Sequence, residues 1–488
     1  MHLGVWLVPA EHGNLAQPDP SGLCGSRLVS IWQDSWRFSV PDHPVDRLDK
    51  GCPEISCGYV LLTVLIASRD NLLRILWVKA GKLLPVDTGG KIRSQNILRH
   101  LARSHSVTLL TYYGGSKDSA YEMEIAREFP GAVTIYTAAL DGTSVAQSLD
   151  YVRRVFQTAP FAVSKFTHPE VQRLVASWIE VKTTTGKTVE DQKFDVAVCD
   201  FLSASRNFPE KSATPTVLFQ HNVETALWKR LAETESNPAK RAAYKMEVRK
   251  MASYERAALR RFDHIIAVSE HDCEQMLVIE PTCDISVVPT GVDTKTYTVT
   301  SPSTSDPPRI VFLGSMDWEP NIDAVTYFCR DIFPRVCDQF PSVRFQIVGR
   351  NPNASIKQLA SKSVEVTGTV SSVVEYLRDA TVVVVPLRIG GGTRLKIFEA
   401  MATGRAVVST SIGAEGLAVQ NGRDLILADD AAIFADAVIR LLSDAALRRR
   451  YEQAAAQLAA QYDWSNIAQQ FAEVLQKTCR RAMAREHI

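Results

Sequence analysis

From Arg74 onward, short apolar runs alternate with stretches of helical period. The runs are RILWVKAG, VTLLTYY, AVTIYT, FDVAVCD, TVLFQHN, HIIAVS and ISVVPTG. Helical segments separate most of them. In Ile92 to Ser104, for example, Ile97, Leu98 and Leu101 fall on one face. Strand alternating with helix predicts a parallel sheet with helices on both sides. A bridge rich in Ser, Thr and Pro, TYTVTSPSTSDPP, runs from Thr296 to Pro308 and reads as an interdomain linker. The alternation then restarts with RIVFLGS, VRFQIVGR, VEVTGTV, TVVVVPL, AVVST and DLILADD. These runs are apolar and β-branched throughout, as strands buried on both faces must be. The pattern predicts an α/β chain of two tandem doubly wound, Rossmann-like domains, residues 73–295 and 309–462, facing across a cleft. In the tail, 463–488, Ile467, Phe471, Val474 and Leu475 recur at helical spacing. This predicts an amphipathic helix that docks back on the first domain.

Residues 1–72 depart from the pattern. EHGNLAQPDPSGLCGSRL and SVPDHPVDRLDKGCPEISCG have loop composition. YVLLTVLIAS, Tyr59 to Ser68, is apolar but too short to span a bilayer, and no basic start or cleavage signal frames it. The expectation is a poorly ordered extension or a start codon assigned too far upstream. The rest of the chain has no run long and apolar enough for a membrane helix. The chain is 45% apolar and 22% charged, with a net charge of +1, so no global field points to nucleic acid. Nine scattered cysteines without a CxxC pair predict reduced thiols in a cytoplasmic protein.

The chemistry gathers on one strand-to-helix turn, VVVVPLRIGGGTRLKIFEAMATG, Val382 to Gly404. Pro386 ends the strand. Gly390, Gly391 and Gly392 let the backbone approach a ligand closely. Thr393 is a suitable N-cap for a helix beginning near Arg394. The N–H groups and positive end of that helix favour an anion. Arg394 and Lys396 add full charges for phosphate oxygens. Glu399, about 60° around the helix from Lys396, is placed to accept hydrogen bonds from a ribose. This composite points to a nucleoside diphosphate. The plainer alternative is a glycine loop with a solvated Lys396–Glu399 ion pair.

Competing motifs fail. TTGKT, Thr184 to Thr188, lacks the upstream glycine of a phosphate-binding loop, because Val181 stands there. No Gly-x-Gly-x-x-Gly and no Asp-x-Asp occurs, and no His/Cys cluster has zinc spacing. No metal and no bound cofactor are expected.

The ordered set of motifs resembles the group 1 glycosyltransferases, family 4, of the GT-B fold. It includes GGKIRSQNILRHLARSHSVTLLT, QHNVETALWKR, YERAALRRFDHIIAVSEHD and VVPTGVD in the first half. GSMDWEPNIDAVTYF, FQIVGR, VEVTGTVSSVVEYL, PLRIGGGTRLKIFEAMATGRAVVST and GAEGL follow in the second. The resemblance runs from about Leu73 to the C-terminus and is nearest to bacterial polysaccharide-building members. It implies transfer of a sugar from a nucleotide-sugar, with retention and without a metal. Glu399 falls on the second glutamate of the family's Glu-x7-Glu motif, the ribose anchor. The first, which grips the donor sugar, falls on Gly391. The family's arginine–lysine diphosphate clamp falls on Ser315 and Asn321. Gly314 precedes the clamp. Gly368, Thr369 and Val370 fall where the nucleobase is framed. Gly89 and Gly90, on the loop after the first strand, fall where that loop nears donor phosphate and acceptor.

His221 ends TVLFQHN at the expected cleft face. By itself it reads as a histidine satisfying loop carbonyls, whereas the resemblance makes it a contact to donor sugar or acceptor. Glu224 is a lesser candidate, as a cap or a partner of Lys229 or Arg230. Lys229 to Phe262 holds ten Lys/Arg and four Asp/Glu. This is either a solvated helical pair or a basic face for anionic lipid at the inner membrane, where a lipid-linked acceptor would sit. The reading is a hexosyltransferase making cell-surface or exported polysaccharide. The alternatives are a catalytically silent assembly subunit of the same fold and a nucleotide-sugar epimerase.

Overall fold

The structure is a computed structural model and describes residues 72–137, 158–179, 194–299, 306–389 and 394–486. The expectations for residues 1–71, for TTGKT and for Gly390 to Thr393 lie outside the described residues. Each of the apolar runs becomes a strand. The first sheet contains β1 (Arg74–Ala80), β2 (Ser106–Tyr113), β3 (Val133–Tyr136), β4 (Val196–Asp200), β5 (Thr216–Phe219), β6 (His264–Ala267) and β7 (Ile285–Val287). Its order is β3-β2-β1-β4-β5-β6-β7. The second contains β8 (Arg309–Leu313), β9 (Arg344–Val348), β10 (Val364–Gly368), β11 (Val382–Val385), β12 (Val407–Ser409) and β13 (Ile426–Leu427), ordered β10-β9-β8-β11-β12-β13. All of their pairings are parallel. Both orders reverse beside the first strand of the sheet. Such switch points open crevices at the carboxyl ends of the strands, where ligands of this fold class bind.

The helices that bear on the site are α1 (Gly89–Leu101), α2 (Glu224–Thr234), α3 (Pro238–Arg261), α4 (Glu270–Ile279), α5 (Leu395–Ala402) and α6 (Trp464–Glu486). Among them α6 crosses back to the first sheet. Trp464, Ile467, Phe471 and Leu475 are buried in the same core as Trp77, Phe219 and Ile97. The Phe471 ring lies 5.4 Å from Trp77 and 5.0 Å from Phe219. The crossing is hydrogen-bonded to the exit of the first sheet: Val292 N donates to Tyr462 O at 2.8 Å, and Trp464 N to Val292 O at 3.2 Å. Among the described residues, no helix is long and apolar enough to cross a membrane.

Candidate active site

Segments that follow the carboxyl ends of β5, β6, β7, β11 and β12 line a cleft of about 670 Å3. His221, Ser269 and Thr290 come from the first sheet's side, and Arg394 and Glu415 from the second. The volume suits a ligand of nucleotide-sugar size.

On the first-sheet side the cleft rests on a buried chain of charges. Asp200 closes β4 and is fully buried. One oxygen, Oδ2, accepts from Lys79 Nζ and Trp77 Nε1, each at 3.0 Å. The other, Oδ1, lies 2.9 Å from His221 Nε2. On the far side of the ring, Nδ1 lies 2.9 Å from an Arg93 nitrogen. Arg93 Nε in turn donates to Thr290 Oγ1 at 2.9 Å. Guanidinium only donates, so Nδ1 accepts and the ring proton sits on Nε2, facing Asp200. Burial pushes the His221 pKa down to about 3, against the pull of Asp200. Burial raises the Asp200 carboxyl, but Lys79 and His221 outweigh it and hold the group below the usual range. Arg93 is lowered to about 10 by burial. His221 is therefore a neutral ring, hydrogen-bonded to Arg93 and within 2.9 Å of Asp200, and these rather than loop carbonyls are its neighbours.

Phe201, next after Asp200, has φ 74° and ψ 148°. A non-glycine residue there costs about 1–3 kcal/mol and persists only where its surroundings fix it. Its ring stacks on His221 at 3.7 Å. A Cβ on Gly90 would meet this ring at 2.5 Å, so any larger residue there must displace it. Gly89 and Gly90 correct an expectation. They are the first two residues of α1, after an extended Thr88 N-cap, and not part of a loop. Gly90 and His221 are neighbours in the fold.

The turn into α5 also differs from expectation. The helix begins at Leu395, and Arg394 takes the N-cap position at φ −87° and ψ 40°. Arg394 is buried and turns into the cleft, 3.6 Å from Glu415. The same carboxylate lies 3.5 Å from Arg230 on α2 and 3.7 Å from His271 on α4. Glu415 thus gathers cations from both sides of the cleft. Lys396 faces elsewhere: its Nζ donates to Asn321 Oδ1 at 2.8 Å and sits 4.3 Å from the centre of the Phe312 ring. Burial, with repulsion from Arg394, brings its pKa down to about 7, against attraction from Glu399. Glu399 Oε1 accepts from Tyr297 Oη at 3.0 Å. Burial raises the Glu399 pKa, while Tyr297 and Lys396 oppose the shift. Lys396 and Glu399 each have another partner, so the solvated ion pair of the plainer reading is not formed.

Gly314 follows β8 and packs against Asn321, whose amide nitrogen lies 2.6 Å from where a Cβ would be. Gly368 ends the edge strand β10 at φ 71°, with exposed Thr369 and half-buried Val370 beyond it. The structure thus brings Gly90, His221 and Arg394 to the cleft and its floor. It places Gly314, Asn321 and Lys396 together beside the ends of β8 and β9. Gly391, Gly392 and Thr393 lie outside the described residues. Glu224 pairs with neither Lys229 nor Arg230. It is half-buried, and burial with Glu255 nearby raises its pKa to about 7. Among the described residues, no group of three His, Cys, Asp or Glu side chains is arranged to hold a metal ion.

Sequence reasoning missed Lys79, Arg93, Asp200, Phe201 and Glu415. Asp200 left a signal, a carboxylate closing an apolar strand at the carboxyl edge. Glu415 stood inside the quoted GAEGL.

Two family models match the chain. Glycosyltransferase Family 4 covers residues 88–296, and Glycosyl transferases group 1 covers residues 307–444. Phosphatidyl-myo-inositol mannosyltransferase of Mycobacterium leprae is 31% identical over 202 residues, 39% of this chain and 53% of its own. The chain therefore spans about half the length of that relative. An uncharacterized 44.6 kDa protein in the cps region of Klebsiella pneumoniae is 20% identical over 75% of this chain and 90% of its own. Anabaena HepE in complex with UDP superposes with a TM-score of 0.57 at 14% identity, over 83% of this chain and 100% of that one. At that identity the likeness speaks for the fold alone. The two models together take in well over half of the chain, in family order and on two parallel sheets of GT-B type: it belongs to the group 1 glycosyltransferases, family 4.

Proposed function

We propose that the protein moves a sugar from a nucleoside-diphosphate sugar to a glycan or lipid-linked acceptor, with retention of configuration. The observation that carries this reading is the cleft itself. It lies between the carboxyl ends of two parallel sheets, with buried Arg394 at the start of α5 turned into it. The UDP bound by Anabaena HepE and the sugar transfer named for the mycobacterial relative support a nucleotide-sugar donor. The cps-region relative supports a setting in polysaccharide synthesis.

In the reaction, the bond between the sugar's anomeric carbon and the diphosphate breaks. The acceptor oxygen bonds that carbon on the same face, and its proton passes to the departing phosphate oxygen. Negative charge grows on the diphosphate; the α5 N-terminus and Arg394 stabilise it from the cleft side, and Lys396 from the side of the loop after β8. His221 positions rather than takes the proton, because Arg93 already holds Nδ1. Glu399 keeps one oxygen beyond its Tyr297 bond for a ribose hydroxyl. Closure of the cleft excludes water and limits donor hydrolysis.

The membrane contact belongs to the same proposal. Along α2 and α3, Leu227, Leu231 and Met246 are exposed among the lysines and arginines, beside the cleft that Leu227 and Arg230 line. The transfer reading is tested with Arg394→Ala in an assay of diphosphate release from a donor panel. Turnover at the wild-type rate would sink it.

A further inference from the structure

Two cations converge on the loop after β8, and both come from other elements. Arg350, two residues beyond β9, donates from Nε to Ser315 Oγ at 2.9 Å. Lys396, on α5, donates from Nζ to Asn321 Oδ1 at 2.8 Å. The buried Asn321 donates in turn from its amide to the Ser315 main-chain oxygen at 2.8 Å. A single hydrogen-bonded chain therefore links a guanidinium and an ammonium through residues 315 and 321.

Neither cation is held in a close ion pair there. Arg350 forms no ion pair among the described residues. The nearby carboxylate, Asp317, accepts from the Ser315 hydroxyl and the Asn351 amide, and Arg350 helps to hold its pKa down without a close ion pair. Lys396 rests on a neutral amide, and the carboxylate that attracts it, Glu399, is held by Tyr297. A guanidinium and a lysine amine anchored on neutral partners, at the carboxyl end of a parallel sheet, are suited to an anion.

The backbone that carries Arg350 is fixed. Met316 N donates to Arg350 O at 2.8 Å. Gly349 lies so close to Gly314 that a Cβ would come within 1.7 Å of the Gly314 oxygen. Arg350 itself is exposed. The result is a rigid base with a guanidinium that can turn from a hydroxyl to a phosphate, a geometry suited to bidentate contact.

We infer that Arg350 and Lys396 together form a diphosphate clamp, reaching in from β9 and α5 to the two positions where family resemblance had placed the missing cations. Arg350 is a donor-binding residue in this arrangement, and the inference rests on the nucleotide-sugar reading above. It predicts that the guanidinium can be moved between neighbouring loops without loss of function.

The test is calorimetric binding of UDP, GDP and ADP, each against its own nucleoside, to the full chain. Arg350→Ala weakens the diphosphate about tenfold, the scale of one charge-assisted hydrogen bond, and leaves the nucleoside unchanged. The swap Ser315→Arg with Arg350→Ser restores the diphosphate. The inference is overturned if Arg350→Ala binds the diphosphate as the wild type does, if diphosphate and nucleoside weaken together, or if the swap binds no better than the single variant. Wild-type protein that binds none of the three diphosphates overturns the donor reading itself, and this inference with it.

Discussion

At the scale of single residues, Lys396 is the proposed diphosphate contact whose charge depends most on pH. Its pKa of about 7 lies well below the ordinary lysine value of 10.5, chiefly through burial. Above pH 7 the free protein therefore holds much of it neutral. A diphosphate beside it favours the ammonium and raises its pKa, so binding takes up a proton. Affinity should then fall as pH rises above 7, and stay level well below it. Calorimetry at pH 8 in two buffers of different ionisation enthalpy measures the uptake directly. Lys396→Arg, charged at any working pH, should bind without it. Equal heats in both buffers for the wild type would refute this account of Lys396. His221 behaves in the opposite way. With Arg93 on one nitrogen and Asp200 facing the other, it stays neutral at any ordinary pH and takes no part in proton traffic.

At the scale of elements, the junctions between strands and helices carry the strain. The start of α1 and the end of β4 press together through Gly90 and Phe201. A methyl group on Gly90 must push that ring off His221, at a cost of about 1–3 kcal/mol by overpacking. Phe201→Ala removes the obstacle, so in the double variant the two effects should fall short of their sum by 0.5 kcal/mol or more. Urea unfolding of the four proteins in this cycle decides the point, and simple additivity would mean that the ring does not set the glycine. The same junction shows where sequence reading stops. Strands such as Val382–Val385 are legible because parallel strands buried on both faces are continuous apolar runs. The positive φ of Phe201 leaves no mark in composition. Arg93, within GGKIRSQ, looks like any surface arginine until the fold sets it between His221 and Thr290. Lys396 and Glu399 were legible as chemistry but not as geometry, since helical spacing alone pairs them and the fold gives each another partner.

At the scale of the molecule, the chain's two sheets are bound into one body by its last helix. Trp464, Ile467, Phe471 and Leu475 of α6 complete the core under Trp77 and Phe219. Phe471→Ala should cost about 3–5 kcal/mol, a large share of a typical total stability, although it lies after the second sheet in sequence. A shift in the denaturation midpoint confined to less than 1 kcal/mol would show that α6 is an accessory to the first core. Across the cleft, Glu415 draws Arg230, His271 and Arg394 toward one carboxylate, which links its two sides. On the proposed function, this site releases a nucleoside diphosphate from a sugar donor. The most direct measurement is diphosphate release from a panel of nucleotide-sugars, with Glu399→Ala as the control. Release from at least one donor is expected, lost or strongly reduced in the variant. Saturable nucleotide binding with no release from any donor would contradict it and select the silent assembly subunit instead.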